Sequence, residues 1–171
     1  GADAIHFDAS LDGSIFLDAS LGPLVISDSV SIIGSGRESI AIDAQGQSRV
    51  LDVTSADGDV LLEGLTITGG NASAPITLTH LPNVSGGGLH FLDNNVADGL
   101  LAFNDVTVTE NSAAVYGGGI GQLLANGLIE NSTISNNAAP FGAGGGVLCF
   151  GSGGWGKAVL SQHGRVPRSN N

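Results

Sequence analysis

Gly117-Gly118-Gly119-Ile120, then Glu130-Asn131-Ser132-Thr133-Ile134-Ser135-Asn136-Asn137, then Gly144-Gly145-Gly146-Val147: this stretch decides the fold, because its parts have copies elsewhere in the chain. The glycine box recurs as Gly86-Gly87-Gly88-Leu89. The β-branched line recurs as Leu65-Thr66-Ile67-Thr68 and Val106-Thr107-Val108-Thr109. From Val108 to Ile134 is 134 − 108 = 26 residues, and from Gly117 to Gly144 is 144 − 117 = 27. Repetition at a period of about 20–50 residues marks a stacked, solenoid-type chain. A sandwich has no reason to repeat the same box and the same line. In stacked coils each residue lies over its equivalent about 4.8 Å away, so like residues form columns and the sequence echoes itself.

Working outward, short β runs fill the N-terminal third: Ile5-His6-Phe7, Ser14-Ile15-Phe16-Leu17, Leu24-Val25-Ile26, Val30-Ser31-Ile32-Ile33, Ile40-Ala41-Ile42 and Val50-Leu51-Asp52-Val53. Turn residues follow each one, including Asp12-Gly13, Gly22-Pro23, Gly34-Ser35-Gly36 and Gly46-Gln47. No window keeps a helical apolar spacing for three turns. Corners of a coil need residues that tolerate a left-handed backbone, which glycine does freely and asparagine does better than most. Asn111, Asn131, Asn136 and Asn137 flank the threonine lines, where corners should fall, and are expected to form a stacked amide ladder. Ile67, Val108 and Ile134 should stack in one buried column, and Gly118 and Gly145 should be equivalents.

Composition agrees with narrow stacked layers. The 171 residues include 28 glycines, no methionine and only 5% aromatics, yet 42% are hydrophobic, so the core must be built from Val, Ile, Leu and Ala. All 16 carboxylates lie between Asp3 and Glu130, and residues 1–150 hold only Arg37 and Arg49 as bases, which gives 2 − 16 = −14. Residues 151–171 carry Lys157, Arg165 and Arg168 without an acid, or +3. An acidic body repels phosphate backbones, so nucleic acid is not an expected partner. The longest apolar run is four residues, so the chain has no helical membrane-spanning segment, and no basic-then-apolar signal segment opens it. Cys149 stands alone, which rules out an intramolecular disulfide, and reads as a small apolar filler.

Candidate chemistry is sparse. Two carboxylates flanking one bond, or carboxylates around calcium with a basic residue, would be needed to cut a polysaccharide. Asp93, Asp98, Asp105 and Glu110 are available, but they sit at turn-like positions, and Arg37 and Arg49 read as surface or corner residues. His6, His80, His90 and His163 are scattered and lack metal-ligand spacing; His6 and His90 read as outward-facing strand residues. No catalytic residue, metal ligand or cofactor is therefore expected. The one patterned surface is the Thr-X-Thr series. Thr66 and Thr68, Thr107 and Thr109, Thr133 and Ser135, with Thr77 and Thr79, put two hydroxyls on one side of each strand. Stacked, they would make a hydroxyl array of the kind that ice-binding solenoids use. Threonine is also simply favoured on a solvent-facing strand, and it is missing from Ser31-Ile32-Ile33 and Ala41-Ile42-Asp43.

Leu65-Thr66-Ile67-Thr68-Gly69-Gly70-Asn71-Ala72, the three glycine boxes and Glu130-Asn131-Ser132-Thr133-Ile134-Ser135-Asn136-Asn137-Ala138-Ala139 together resemble the repeats of bacterial polymorphic outer-membrane-protein-like chains. Those are right-handed parallel β-helices related in shape to pectate lyases. Ile5-His6-Phe7-Asp8-Ala9-Ser10-Leu11, Val30-Ser31-Ile32-Ile33-Gly34 and Ile40-Ala41-Ile42-Asp43-Ala44 are similar to the leading coils of the same group. The resemblance covers roughly residues 5–148 and implies an exported, secreted or outer-membrane surface protein, adhesin-like, with no catalytic motif to carry over.

The expectation is thus an all-β, right-handed parallel β-helix of one chain with about six coils over residues 1–150. Residues 151–171, which hold the only Trp and Lys, are expected to be a poorly ordered or out-of-frame basic tail. The opening Gly1-Ala2-Asp3 reads as the middle of a longer exported protein. The expected role is a non-enzymatic segment of a bacterial surface protein, extracellular or at the outer membrane, facing a host surface or polysaccharide. The alternatives are a carbohydrate-active lyase or hydrolase and an ice-binding face.

Overall fold

The computed structural model describes residues 3–54, 58–73, 84–92, 99–123 and 126–150. Among them the chain forms fifteen β-strands and no α-helix. The first coil holds β1 (Asp3–His6), β2 (Gly13–Phe16) and β3 (Leu24–Ile26). The second repeats that plan with β4 (Val30–Ile33), β5 (Ile40–Asp43) and β6 (Leu51–Val53). In the third, β7 (Val60–Thr68) runs through the two places that separate strands held before, followed by β8 (Asn71–Ala72) and β9 (Leu89–Leu92). The fourth has β10 (Leu100–Thr109), β11 (Ser112–Ala113) and β12 (Ile120–Leu123). The fifth has β13 (Asn126–Glu130), β14 (Thr133–Ser135) and β15 (Val147–Phe150).

Every strand pair between coils is parallel, and the pairing order is that of stacking, β3-β6-β9-β12-β15 in one sheet and β1-β4-β7-β10-β13 in the longer one. This is a parallel β-solenoid of five stacked coils, about four turns from first to last. Six coils were expected from a uniform 25-residue period. The period is 27 between the first two coils (Asp3↔Val30, Leu24↔Leu51) and 26–27 between the last two (Thr107↔Thr133, Ile120↔Val147). Between the third and fourth it stretches to 107 − 66 = 41 (Thr66↔Thr107), so the same length of chain makes fewer coils.

The alternation of the strands turns one side chain in two inward, and the inward positions form continuous columns. Ile42, Ile67, Val108 and Ile134 stack in register, as do Leu24, Leu51, Leu89, Ile120 and Val147. Ile67 is 0% and Val108 1% exposed, with Ile134 packed against them at the end of the stack. The expected column over Ile67, Val108 and Ile134 therefore exists, but it is fully buried only at Ile67 and Val108, and Ile134 is half-buried. Among the described residues the only buried Phe, Tyr or Trp side chains are Phe91 and Phe103, in keeping with the low aromatic content.

Candidate functional site

Three corner columns shape the outer surface. At the bend of the long sheet, Gly64, Asp105 and Asn131 all take positive φ, at 60°, 54° and 50°. At the end of the threonine lines Gly69, Glu110 and Asn136 do the same, at 64°, 58° and 54°. The glycine boxes supply the third, through Gly86, Gly117 and Gly144 at 63°, 56° and 71°. Crowding there is severe: a Cβ on Gly118 would lie 2.2 Å from the Ala138 carbonyl oxygen. Ile120↔Val147 pairing places Gly118 and Gly145 at equivalent positions, as expected.

One step past the second corner lies the asparagine ladder. Asn111, 1% exposed, accepts from the Gly70 amide through Oδ1 (2.8 Å). Its Nδ2 donates to the carbonyls of Ile67 (3.1 Å) and Thr109 (2.8 Å) and reaches Asn137 Oδ1 (3.0 Å). Asn137 Nδ2 in turn donates to the Val108 carbonyl (2.8 Å). The side chains thus take over backbone hydrogen bonding where the strands end, which buried polar backbone demands. Asn131 and Asn136 serve as left-handed corners, and Asn131 Nδ2 also reaches Asn104 Oδ1 (3.0 Å).

Between the two corners the threonine lines face outward in register: Thr66↔Thr107↔Thr133 in one column and Thr68↔Thr109↔Ser135 in the next. All six expected hydroxyl residues therefore share one face. Thr133 is exposed and the other five are half-buried. Among the described residues three of these hydroxyls are engaged within the protein. Thr66 Oγ1 donates to the Arg37 carbonyl (2.7 Å), and Thr109 Oγ1 sits 3.4 Å from Ser135 Oγ. Toward the N-terminus the columns pass through Ala41 and Asp43, then Ser14 and Phe16, so the hydroxyl pattern stops. Ser31-Ile32-Ile33 is not an equivalent line: it pairs with Leu61-Leu62-Glu63, across the bend. Arg37 borders the face. Its Nη1 donates to the Asn131 carbonyl (2.7 Å) and its Nε lies 3.2 Å from Asp105 Oδ1, tying the second coil to the fourth and fifth.

Two residues read as surface groups are buried instead. Arg49 is 8% exposed; its Nε donates to the Gly86 carbonyl (2.8 Å), its Nη2 to the Ser85 carbonyl (2.9 Å), and its Nη1 lies 3.2 Å from Asp52 Oδ1. His90 stands on the outward side of β9, as its alternation with Leu89 and Phe91 requires, yet it is only 2% exposed. Its Nδ1 lies 2.9 Å from Asp52 Oδ1, and its Nε2 is buried without a hydrogen-bond partner. The chain at 84–86 doubles back over this side of the sheet: a Cβ on Gly121, the neighbour of His90 in β12, would meet the Gly86 nitrogen at 2.7 Å and Ser85 Cβ at 3.0 Å. Burial raises the Asp52 pKa, but the His90 hydrogen bond and the charges of Arg49 and His90 outweigh it and hold the carboxyl below its ordinary value. Burial also lowers the Arg49 pKa against the pull of Asp52. The cluster is a clamp fastening the arch before the glycine box to the coil beneath. The signal that could have found it is the Arg49–Asp52 spacing of three, but its third member lies 90 − 52 = 38 residues on, off the regular period.

The other candidates scatter. Asp105 and Glu110 occupy left-handed corners, which is the turn role expected of them. His6 is exposed in β1, and Cys149 is half-buried in β15, where burial pushes its thiol pKa up. Thr77, Thr79, His80, Asp93, Asp98, His163 and the tail 151–171 lie outside the described residues. Among the described residues no group of three or more His, Cys, Asp or Glu could hold a metal ion, and no helix is long and apolar enough to cross a membrane. No known family, curated protein or solved structure matches the chain in comparison.

Proposed function

We propose that this chain is a non-enzymatic segment of an exported bacterial surface protein, adhesin-like in use, which offers its hydroxyl face to a polysaccharide or a host surface. The observation that carries the reading is the in-register placement of Thr66, Thr107 and Thr133 beside Thr68, Thr109 and Ser135. Rows about 4.8 Å apart, each with two hydroxyls about 7 Å apart and methyl groups between, suit weak, repeated contacts with an extended polyhydroxylated chain. Against catalysis stands the use already made of the two body arginines: Arg49 is buried in its clamp and Arg37 is held by Asp105 and the Asn131 carbonyl. The resemblance of the repeats to polymorphic outer-membrane-type chains supports an extracellular or outer-membrane setting.

The test pairs binding with turnover. Immobilised neutral glucans, or intact host cells, should retain the protein, and a Thr107→Lys, Thr133→Lys double variant should lose that retention. Incubation with pectate, alginate and neutral glucans, with and without calcium, should release no unsaturated or reducing ends. Product formation that vanishes on removing one carboxylate pair would establish a lyase or hydrolase instead. The threonine columns also favour a second reading, an ice-binding face. Thermal hysteresis and reshaped ice crystals, abolished by the same double variant, would support that use.

A further inference from the structure

We propose that Arg37 and Asp105 form a sugar-recognition pair at the border of the hydroxyl face, which takes two neighbouring hydroxyls of a neutral glycan and rejects acidic ones. The assignment rests on the polysaccharide-binding role proposed for that face, and it names the ligand class and the residues that select it. The pair stands where the hydroxyl rows begin. Arg37 Nη1 donates to the Asn131 carbonyl (2.7 Å), and Nε lies 3.2 Å from Asp105 Oδ1. Asp105 and Asn131 are left-handed corners, and each is followed two residues later by a threonine of the face, Thr107 or Thr133. Those threonines are register partners in adjacent coils. The guanidinium therefore heads two hydroxyl rows that lie about 4.8 Å apart.

The pair is positioned but not saturated. Its loop is pinned on both sides: Thr66 Oγ1 donates to the Arg37 carbonyl (2.7 Å), the Gly36 amide to the Gly64 carbonyl (2.9 Å), and Ser35 Oγ to the Leu11 carbonyl (2.8 Å). The side chain thus reaches from the second coil to the fourth and fifth. Among the described residues neither Arg37 Nη2 nor Asp105 Oδ2 has a hydrogen-bond partner, and the two side chains are 32% and 47% exposed. Nη2 carries N–H donors, and Oδ2 is an acceptor. A vicinal diol is the complement: one hydroxyl oxygen accepts from Nη2 while its neighbour donates to Oδ2. The guanidinium is planar and already fixed, so little side-chain freedom is lost on binding. Thr107 and Thr133 carry the contact onward along the same glycan.

Charge decides against an acidic ligand, which is otherwise the common partner of a guanidinium. Glu38 Oε1 lies 3.7 Å from Arg37 Nε. Glu63 and Glu130 stand immediately before the corners Gly64 and Asn131, in the column Glu63↔Asn104↔Glu130. With Asp105 that makes four carboxylates around one guanidinium, or 1 − 4 = −3. The other basic side chain of residues 1–150, Arg49, is buried in its clamp. A uronate or phosphate brought here is repelled by this surround, whereas a neutral sugar makes its hydrogen bonds without that penalty.

The test is a nuclear magnetic resonance titration of the unaltered, isotope-labelled protein with cellohexaose, with mannohexaose and, as the acidic counterpart, with hexagalacturonate. A neutral hexasaccharide should shift the backbone amides of Thr107 and Thr133 together with the Nε–H signal of Arg37. The Nε–H signal of Arg49, buried in its clamp, should stay still, and hexagalacturonate should move none of them. Arg37→Gln and Arg37→Lys should each weaken neutral binding by about tenfold or more, because lysine keeps the charge but not the fork. Should those variants fail to fold, the wild-type Arg37 signal decides the matter alone. Threonine amides that shift while the Arg37 signal does not, or full binding by folded Arg37→Gln, would overturn the pair and leave the hydroxyl face standing. A stronger response to hexagalacturonate than to either neutral probe would overturn the ligand class. No response to any of the three would overturn the polysaccharide role and the pair with it.

Discussion

Replacing Asn111 with alanine should destabilise the protein by about 2–4 kcal/mol, far more than an asparagine at a turn ordinarily would. The amide is 1% exposed and serves both as acceptor and as donor. Without it the Gly70 amide, which it accepts at 2.8 Å, faces a methyl group, and the Ile67 carbonyl loses a donor at 3.1 Å. An unsatisfied buried donor or acceptor costs about 1–3 kcal/mol, and the space left by the missing amide adds to it. Asn111→Asp sharpens the test. It keeps the acceptor for Gly70 but turns Nδ2 into an oxygen facing the carbonyls of Ile67 and Thr109 and Asn137 Oδ1, so it should be at least as damaging as alanine. Asn136 is the control: it is exposed and contributes a left-handed corner at φ 54°. Its change to alanine should cost about 1 kcal/mol, and its change to glycine almost nothing. Urea unfolding followed by circular dichroism and extrapolated linearly gives each difference, provided the slope is unchanged. The Asn111/Asn137 double-mutant cycle should show a coupling of about 0.5–3 kcal/mol. An Asn111→Ala loss no larger than that of Asn136→Ala would refute the ladder as a structural element.

Further expectations concern the core, the box, the clamp and the face. Ile67→Ala should cost about 2–5 kcal/mol in the same assay, because its column neighbours are held by backbone pairing and cannot close the gap. Gly118→Ala should prevent cooperative thermal unfolding or lower the melting temperature steeply, whereas Gly22→Ala, with φ 75° and nothing within 4 Å, should cost only about 1 kcal/mol. The Asp52 carboxyl has a folded-state pKa below its ordinary 3.8, so its contribution is complete above that value and is lost as pH falls through the lower folded value. Acid unfolding of Asp52→Asn should accordingly show a weaker dependence on pH below 3.8 than the wild type does. Thr107→Lys, on an outward half-buried site, should leave the melting temperature within a few degrees while weakening polysaccharide retention.

Much of the fold is legible in the chain because a solenoid writes its geometry into repetition. The 26-residue step from Val108 to Ile134 and the 27-residue step between glycine boxes are the strand registers themselves. Asn111 and Asn137 announce a ladder because a column presents the same unpaired backbone groups to each coil in turn. The coil number escaped the reading because the period is not constant: the 41-residue step of the central coils carries extra chain that no repeat signals. Arg49 and His90 escaped it for another reason. An outward strand position is normally solvated, and only the fold-back of residues 84–86 covers this one. The hydroxyl face was half visible. Thr-X-Thr fixes which side the hydroxyls occupy, but not that Arg37 would reach over to take one of them.

The stacking of distant residues into one column is the claim on which the ladder and the hydroxyl face both depend. Ser14, Ala41, Thr66, Thr107 and Thr133 form such a column on the outer face, and its ends are 133 − 14 = 119 residues apart. Spin labels placed by Ser14→Cys and Thr133→Cys, with Cys149→Ser to remove the native thiol and unlabelled protein in excess, report that separation by double electron–electron resonance. Four steps of about 4.8 Å predict one narrow distribution near 20 Å, widened only by the label arms. A broad distribution approaching about 60 Å, the span of a flexible chain of that length, would contradict the solenoid.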